Sequence, residues 1–195
     1  MRLFTGIELD SAVRRAVGEL VDELRRRVER DAPRARIAWV TPERLHVTVR
    51  FIGHRDDASC DGIRTVLSPP IAVPPFTVQV EHLGAFPLAG RPRVLWAGLS
   101  GARSELTRVE REVTTRLAGV AVPPEERPYS PHLTLGRVKE ATGLNAATIF
   151  RGLEDLVLGT TSVEAITLFE SRVSSKGPTY IPLQRTMLTG AAKQP

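Results

Sequence analysis

Apolar residues along this chain change period repeatedly, and each change marks an element. Residues 2–9 read as an opening strand. Val13, Val17, Leu20, Val21, Leu24 and Val28 then recur at helical spacing, which predicts a helix over about 11–30 with Asp10 or Ser11 as its cap. A short strand at 37–40 and a turn at Thr41-Pro42-Glu43-Arg44 lead to a strand at 45–53. Residues 57–67 read as helical and stop before Pro69-Pro70. Strands at 76–80 and 93–99 flank a loop at 87–92, and Leu106, Val109, Val113 and Leu117 place a second amphipathic helix at about 102–118. After a proline-rich connector come a strand at 132–138, a third long helix at about 146–156 capped by Asn145, and closing strands at about 160–169 and 180–188. The residues from Thr189 onward are small and polar, the pattern of a frayed tail.

Two of these strands carry the same tetrapeptide pattern, His-apolar-Thr-apolar: His46-Val47-Thr48-Val49 and, 86 residues later, His132-Leu133-Thr134-Leu135. Side chains alternate along a strand, so His and Thr share one face while the apolar pair enters a core. Similar elements flank both copies, which suggests two related halves that each lend one polar strand to a shared cleft. With only 4 His in the chain, two of them gain a Thr at +2 by accident roughly one time in twenty. His54, at a strand end, and His82 carry no such pattern and read as structural or exposed.

Composition narrows the setting. A chain of 195 residues with 42% hydrophobic and 25% charged residues can build one substantial core or two intimately packed lobes. It has no run of 18 apolar residues, so no membrane span is expected, and the acidic Glu8 and Asp10 do not suit a signal peptide. Cys60 is the single cysteine, which rules out an internal disulfide and points to a reducing cytoplasmic setting. The net charge of +5 suits a polyanionic substrate, without the density of a protein that coats nucleic acid. Arg14, Arg15, Arg25, Arg26, Arg27 and Arg30 line the outer face of the first helix. Asp22 and Glu23 precede Arg26 and Arg27 by four, the spacing of solvated ion pairs rather than of an RNA-facing stripe.

Paired imidazoles suit phosphodiester chemistry. One neutral ring takes a proton from water while the other, as imidazolium, gives one to the departing oxygen. The hydroxyls of Thr48 and Thr134 can donate to non-bridging phosphate oxygens. Arg50, at +4 from His46, falls on the His face by alternation. Arg137, at +5 from His132, falls nominally on the opposite face unless a bulge near Gly136 re-aims it. A metal site needs three or four ligands, and neither strand places a carboxylate two residues from its His. No Gly-x-Ser-x-Gly elbow of a serine hydrolase is present.

Both motifs together make the chain resemble the two-histidine phosphoesterase superfamily, and within it the bacterial and archaeal RNA 2',3'-cyclic phosphodiesterases, historically called 2'-5' RNA ligases. The likeness runs in order through Arg2-Leu3-Phe4-Thr5-Gly6-Ile7-Glu8-Leu9, Leu45-His46-Val47-Thr48-Val49-Arg50-Phe51-Ile52-Gly53, Val94-Leu95-Trp96-Ala97-Gly98-Leu99, Pro131-His132-Leu133-Thr134-Leu135-Gly136-Arg137, and the closing Leu168-Phe169-Glu170-Ser171 with Gly177-Pro178-Thr179-Tyr180. The resemblance implies an α+β fold of bilobal form, two pseudo-symmetric lobes of antiparallel sheet backed by helices around a central cleft. Residues 1–189 would form that single domain, with 190–195 as a tail.

It also implies cofactor-free, metal-independent hydrolysis of an RNA terminal 2',3'-cyclic phosphate to a 2'-phosphate. His46 would be the proton donor to the departing 3'-oxygen and His132 the acceptor that activates water. Thr48 and Thr134 would hold the phosphate, with Arg137 near the substrate. Ligation, or hydrolysis of another cyclic nucleotide, would use the same residues. A non-catalytic RNA-end binding module is the reading of another class, and it leaves two titratable rings unexplained. Nothing in the pattern marks an oligomer, so a monomer is expected.

Overall fold

The apolar stripe Val13, Val17, Leu20, Val21, Leu24 and Val28 is buried along one face of a 21-residue helix. Each such side chain contributes roughly 1.5–3 kcal/mol by leaving water. In this computed structural model, which describes residues 1–174 and 177–190, the elements follow in the order β1 (Arg2–Glu8), α1 (Ser11–Asp31), β2 (Arg36–Trp39), β3 (His46–His54), α2 (Asp57–Leu67), β4 (Phe76–Phe86), β5 (Val94–Ser100), α3 (Arg103–Ala118), β6 (Leu133–Glu140), α4 (Ala146–Phe150), β7 (Val157–Val163), β8 (Ala165–Ser174) and β9 (Gly177–Met187). Residues 191–195 of the expected tail lie outside the described residues. Thr189 is not frayed, since its N–H donates to the Ile71 carbonyl at 2.8 Å.

The strands form one antiparallel sheet in the order β7-β4-β5-β6-β3-β1-β8-β9, with β2 also paired to β6. The order is palindromic in kind. The two motif strands, β3 and β6, meet at the centre. Outward from each come a strand that leads into a long helix (β1, β5), then a strand of the other crossover (β8, β4), then an edge strand. The α+β, two-lobed architecture is therefore present, but the halves are interleaved rather than sequential. β4 follows the first motif in the chain and lies in the second motif's half, and β8 does the reverse. The helices cross over too, with α1 against β7 and α4 against β4, while α3 packs behind β3 beside α2.

Several expectations need correction. The third helix covers only Ala146–Phe150, because Gly152 takes a positive φ that ends it; Asn145 does cap it, accepting from Thr148 N–H at 3.3 Å. The strand expected at 160–169 is two strands that meet at Glu164. β4 runs to Phe86, past an irregularity at His82, whose φ is 53°. Asp10 occupies the N-cap of α1 without capping it; its carboxylate instead accepts from Ser162 N–H at 3.1 Å and ties α1 to β7. The arginines of α1 pair as their spacing predicts, Arg25 with Asp22, and Arg26 and Arg27 with Glu23. No helix among the described residues is long and apolar enough to cross a membrane.

Candidate active site

The two motif strands meet through a single antiparallel pair, Val47 with Leu133, the apolar residue between His and Thr in each copy. Extending that register sets His46 across from Thr134 and Thr48 across from His132. Facing residues in such a pair lie with Cβ atoms about 5 Å apart. Both apolar partners are fully buried beneath the sheet, so the two His and two Thr emerge together on its opposite, open face. The widely separated tetrapeptides converge on one spot.

Each ring is held in the same way. His46 Nδ1 lies 2.8 Å from the Arg44 carbonyl, and His132 Nδ1 lies 2.7 Å from the Ser130 carbonyl. A carbonyl only accepts, so Nδ1 carries the hydrogen in both rings and Nε2 is left for chemistry. His46 stands in an aromatic wall, 4.8 Å from Phe4 and 5.0 Å edge-on from Tyr180, centre to centre. A Cβ on Gly6 would lie 3.3 Å from His46 Cδ2 and 3.2 Å from the Val47 carbonyl, so glycine lets the ring rest against β1. His132 meets Phe86 edge-on at 5.2 Å, and Phe86 packs on Trp96.

Burial is the main influence on both imidazoles and pulls each below its ordinary value. The carbonyl bonds oppose it, and the Arg137 charge adds to it; the charge of His132 lowers His46 further. Both rings therefore favour the neutral state more than a free imidazole does. Among the described residues no three His, Cys, Asp or Glu side chains converge as a metal-binding group.

The arginines differ from simple alternation for one shared reason. In β3 the register to β1 skips Val49, with Gly6 opposite Thr48 and Thr5 opposite Arg50. In β6 the register to β5 skips Leu135, with Trp96 opposite Thr134 and Leu95 opposite Gly136. Each motif thus ends in a bulge that shifts facing by one residue. Arg50 is turned away from the His face into the layer behind the sheet, where only 3% of it is exposed. There it pairs with Glu125 at 2.8 Å and donates to the Pro123 carbonyl. The expectation that Arg50 faces the substrate is corrected. Arg137 is brought onto the His face, and its charge bears on His46, His132 and Tyr180. Gly136 is required beneath it, since a Cβ there would lie 2.8 Å from Ile37 and 3.0 Å from Trp39.

Sequence reasoning assigned no role to Phe4, Phe86, Trp96 and Tyr180. The strands of Phe4, Trp96 and Tyr180 were recognised and Phe86 lay beyond the strand expected at 76–80, but which aromatic faces which His depends on neighbours distant in the chain. His54 and His82 stand apart from the site, both exposed. A crevice of about 460 Å³ between α1 and the Thr41-Pro42 turn lies on the helical side and contains no His.

Fold and site together define a protein that sets two His–Thr pairs side by side on one face of a single antiparallel sheet. The 2'-5' RNA ligase superfamily matches residues 11–174, and the chain belongs to that family. An RNA 2',3'-cyclic phosphodiesterase of Aeropyrum pernix is 36% identical over 142 residues, 72% of this chain and 80% of that one. One of Archaeoglobus fulgidus is 32% identical over 94% of this chain and 98% of its own. Among solved structures, TT0787 of Thermus thermophilus superposes with a TM-score of 0.76 at 25% identity, covering 98% of this chain and all of its own. E. coli LigT complexed with 3'-AMP shares the fold at a TM-score of 0.72 and 22% identity, covering 96% and 98%.

Proposed function

We propose that this protein hydrolyses the 2',3'-cyclic phosphate at an RNA end to a 2'-phosphomonoester, as the names of its relatives in Aeropyrum and Archaeoglobus state for those proteins. The observation that carries the reading is the antiparallel meeting of the two motifs at Val47 and Leu133, with both Nδ1 atoms bound to carbonyls and both Nε2 atoms available. His132 Nε2 accepts a proton from water as the water oxygen bonds to phosphorus. The bond from phosphorus to O3' breaks, and O3' takes the proton of His46 Nε2. Thr48 and Thr134 hydroxyls donate to the non-bridging oxygens, and Arg137 offsets the charge that gathers there. Both rings disfavour protonation in the free protein, so the phosphate anion itself stabilises the imidazolium needed on His46.

Two rings supply both proton transfers, and no step calls on a metal or a cofactor. A cytoplasmic setting, supported by the one free, buried thiol at Cys60, and a monomeric state complete the proposal. The test is turnover of an oligonucleotide ending in a 2',3'-cyclic phosphate, in EDTA, with the 2'-phosphate identified as product. Turnover persists in the chelator. His46→Ala and His132→Ala each lower kcat by about 10²–10⁴-fold, the span of positioned acid–base catalysis. A variant of near-full rate removes that ring from the mechanism, and activity lost in EDTA and restored by metal overturns it.

A further inference from the structure

The pairing of β1 with β8 ends at Leu3 and Glu170, but β8 and β9 go on pairing with each other as far as Ser174 and Gly177. This two-stranded arm returns across the first motif. It lays Tyr180 edge-on against both Phe4 and His46, 5.0 Å from each, centre to centre. It also brings Gly177 against Arg44, where a Cβ would lie 2.6 Å from Nη1. Arg44 is the residue whose carbonyl holds His46 Nδ1, so its side chain starts two residues from the ring. Arg2, exposed at the start of β1, shares a strand face with Phe4.

The half-buried Tyr180 hydroxyl bonds to no other described residue. Burial raises the phenol above its ordinary value, and the charges that oppose this are Arg137, Arg44 and Arg2, all of them positive. Like charges gathered round one spot repel one another, and a bound anion removes that cost. The scissile phosphate accounts for Arg137. Arg2 and Arg44 remain, beside the same phenol. A cyclic mononucleotide carries one anion, whereas an RNA end carries a second, one ribose upstream. We propose that Arg2, Arg44 and the Tyr180 hydroxyl form a second anion subsite, which takes the phosphodiester joining the terminal nucleotide to the one before it. This rests on the hydrolase reading and assigns its substrate class, an oligonucleotide end in preference to a free cyclic mononucleotide. A phosphate contact positions the strand without reading its sequence, so the preference holds for any penultimate base.

The experiment compares two dinucleotides that end in a 2',3'-cyclic phosphate, both adenylyl-adenosine. One has the natural phosphodiester linkage and the other an uncharged methylphosphonate. Wild type has a KM about tenfold lower for the charged linkage, the size of one hydrogen bond to a charged group. In Arg2→Gln/Arg44→Gln the ratio of the two KM values falls to about one, whatever change the two substrates share. Tyr180→Phe keeps the ring against His46 and lowers the ratio part of the way. Equal KM values in the wild type, or a ratio that survives the double substitution, overturn the subsite and leave the hydrolase standing. Failure of the wild type to turn over either dinucleotide overturns the hydrolase and the subsite with it.

Discussion

The two half-sites share a frame and differ in what fills it. Each has a His whose Nδ1 is bound to a carbonyl two residues earlier, a Thr at +2, and a bulge immediately after. Behind the sheet, the residue after the bulge is a clamped Arg50 in one half and a bare Gly136 beneath Ile37 and Trp39 in the other. Beside the Thr, the neighbouring strand offers Gly6 in one half, with His46 lying against it, and Trp96 in the other. The frame sets the geometry that the proposed pair of proton transfers needs. The departures from symmetry give the rings different surroundings, His46 among aromatic rings on one side and, on the other, His132 just before its strand with Arg137 beyond its Thr. A perfectly symmetric pair would accept an asymmetric substrate in two equivalent orientations.

The arginines break the comparison most sharply. Arg137→Met removes a cation from the phosphate and lowers kcat/KM by about 10²–10³-fold, as loss of one charge-stabilising donor does. Arg50→Met leaves a flexible apolar chain against the 123–125 segment, and Glu125, already 45% exposed, solvates itself. Its kcat/KM changes by less than about tenfold. Steady-state rates on one cyclic substrate decide the matter. Equal losses in the two variants would mean that the bulges do not assign these side chains to opposite faces.

These two residues also show how much of the molecule was legible beforehand. Periodicity placed α1 and α3 nearly to the residue, because a long buried stripe leaves a strong local signal, and the Pro69-Pro70 pair marked the end of α2. The paired His–Thr strands were legible from alternation. Arg50 was misread and Arg137 left conditional because a bulge has no composition of its own. It is visible only as a skipped partner on β1 or β5, far away in the chain. The same holds for the strand break at Glu164 and the interleaving of the halves, both of which are matters of pairing. The Asp10 carboxylate was read as a local cap and serves a distant strand instead.

A smaller effect tests how the second half is mounted on the first. His132 depends on the Ser130 carbonyl, and the adjoining Tyr129 donates its hydroxyl to the Thr48 carbonyl at 3.4 Å, inside the first motif. Burial pushes the Tyr129 phenol well above its ordinary value, so it remains a donor at any working pH. Tyr129→Phe keeps the packing and removes that tie. Expected are a loss of about 0.5–1.5 kcal/mol in urea unfolding and a fall in kcat within about tenfold at unchanged KM. A rise in KM with kcat intact would place Tyr129 against the substrate rather than behind His132.

The smallest effect concerns protons. Burial lowers both imidazoles, so between their folded values and the ordinary value of about 6.5 the unfolded chain binds more protons than the native one. Stability contributed by the neutral rings is full above about pH 6.5 and is lost as pH falls through the folded values. Sulfate reverses the sign locally. It keeps its double charge across this range, and it is attracted more strongly once an imidazolium forms beside Arg137. Its stabilisation therefore grows as pH falls from 8 to 6 while the unliganded protein weakens, an offset of about 2–4 °C in melting temperature for each kcal/mol of binding. The double variant His46→Ala/His132→Ala should lose that pH dependence, leaving a pH-independent remainder from Arg137 and the threonines. Each single variant then reports the share of one half. If the variant carrying only His132 retains most of the slope, the more open ring is the one that charges first, and the deeper His46 acquires its proton only when the substrate phosphate is in place.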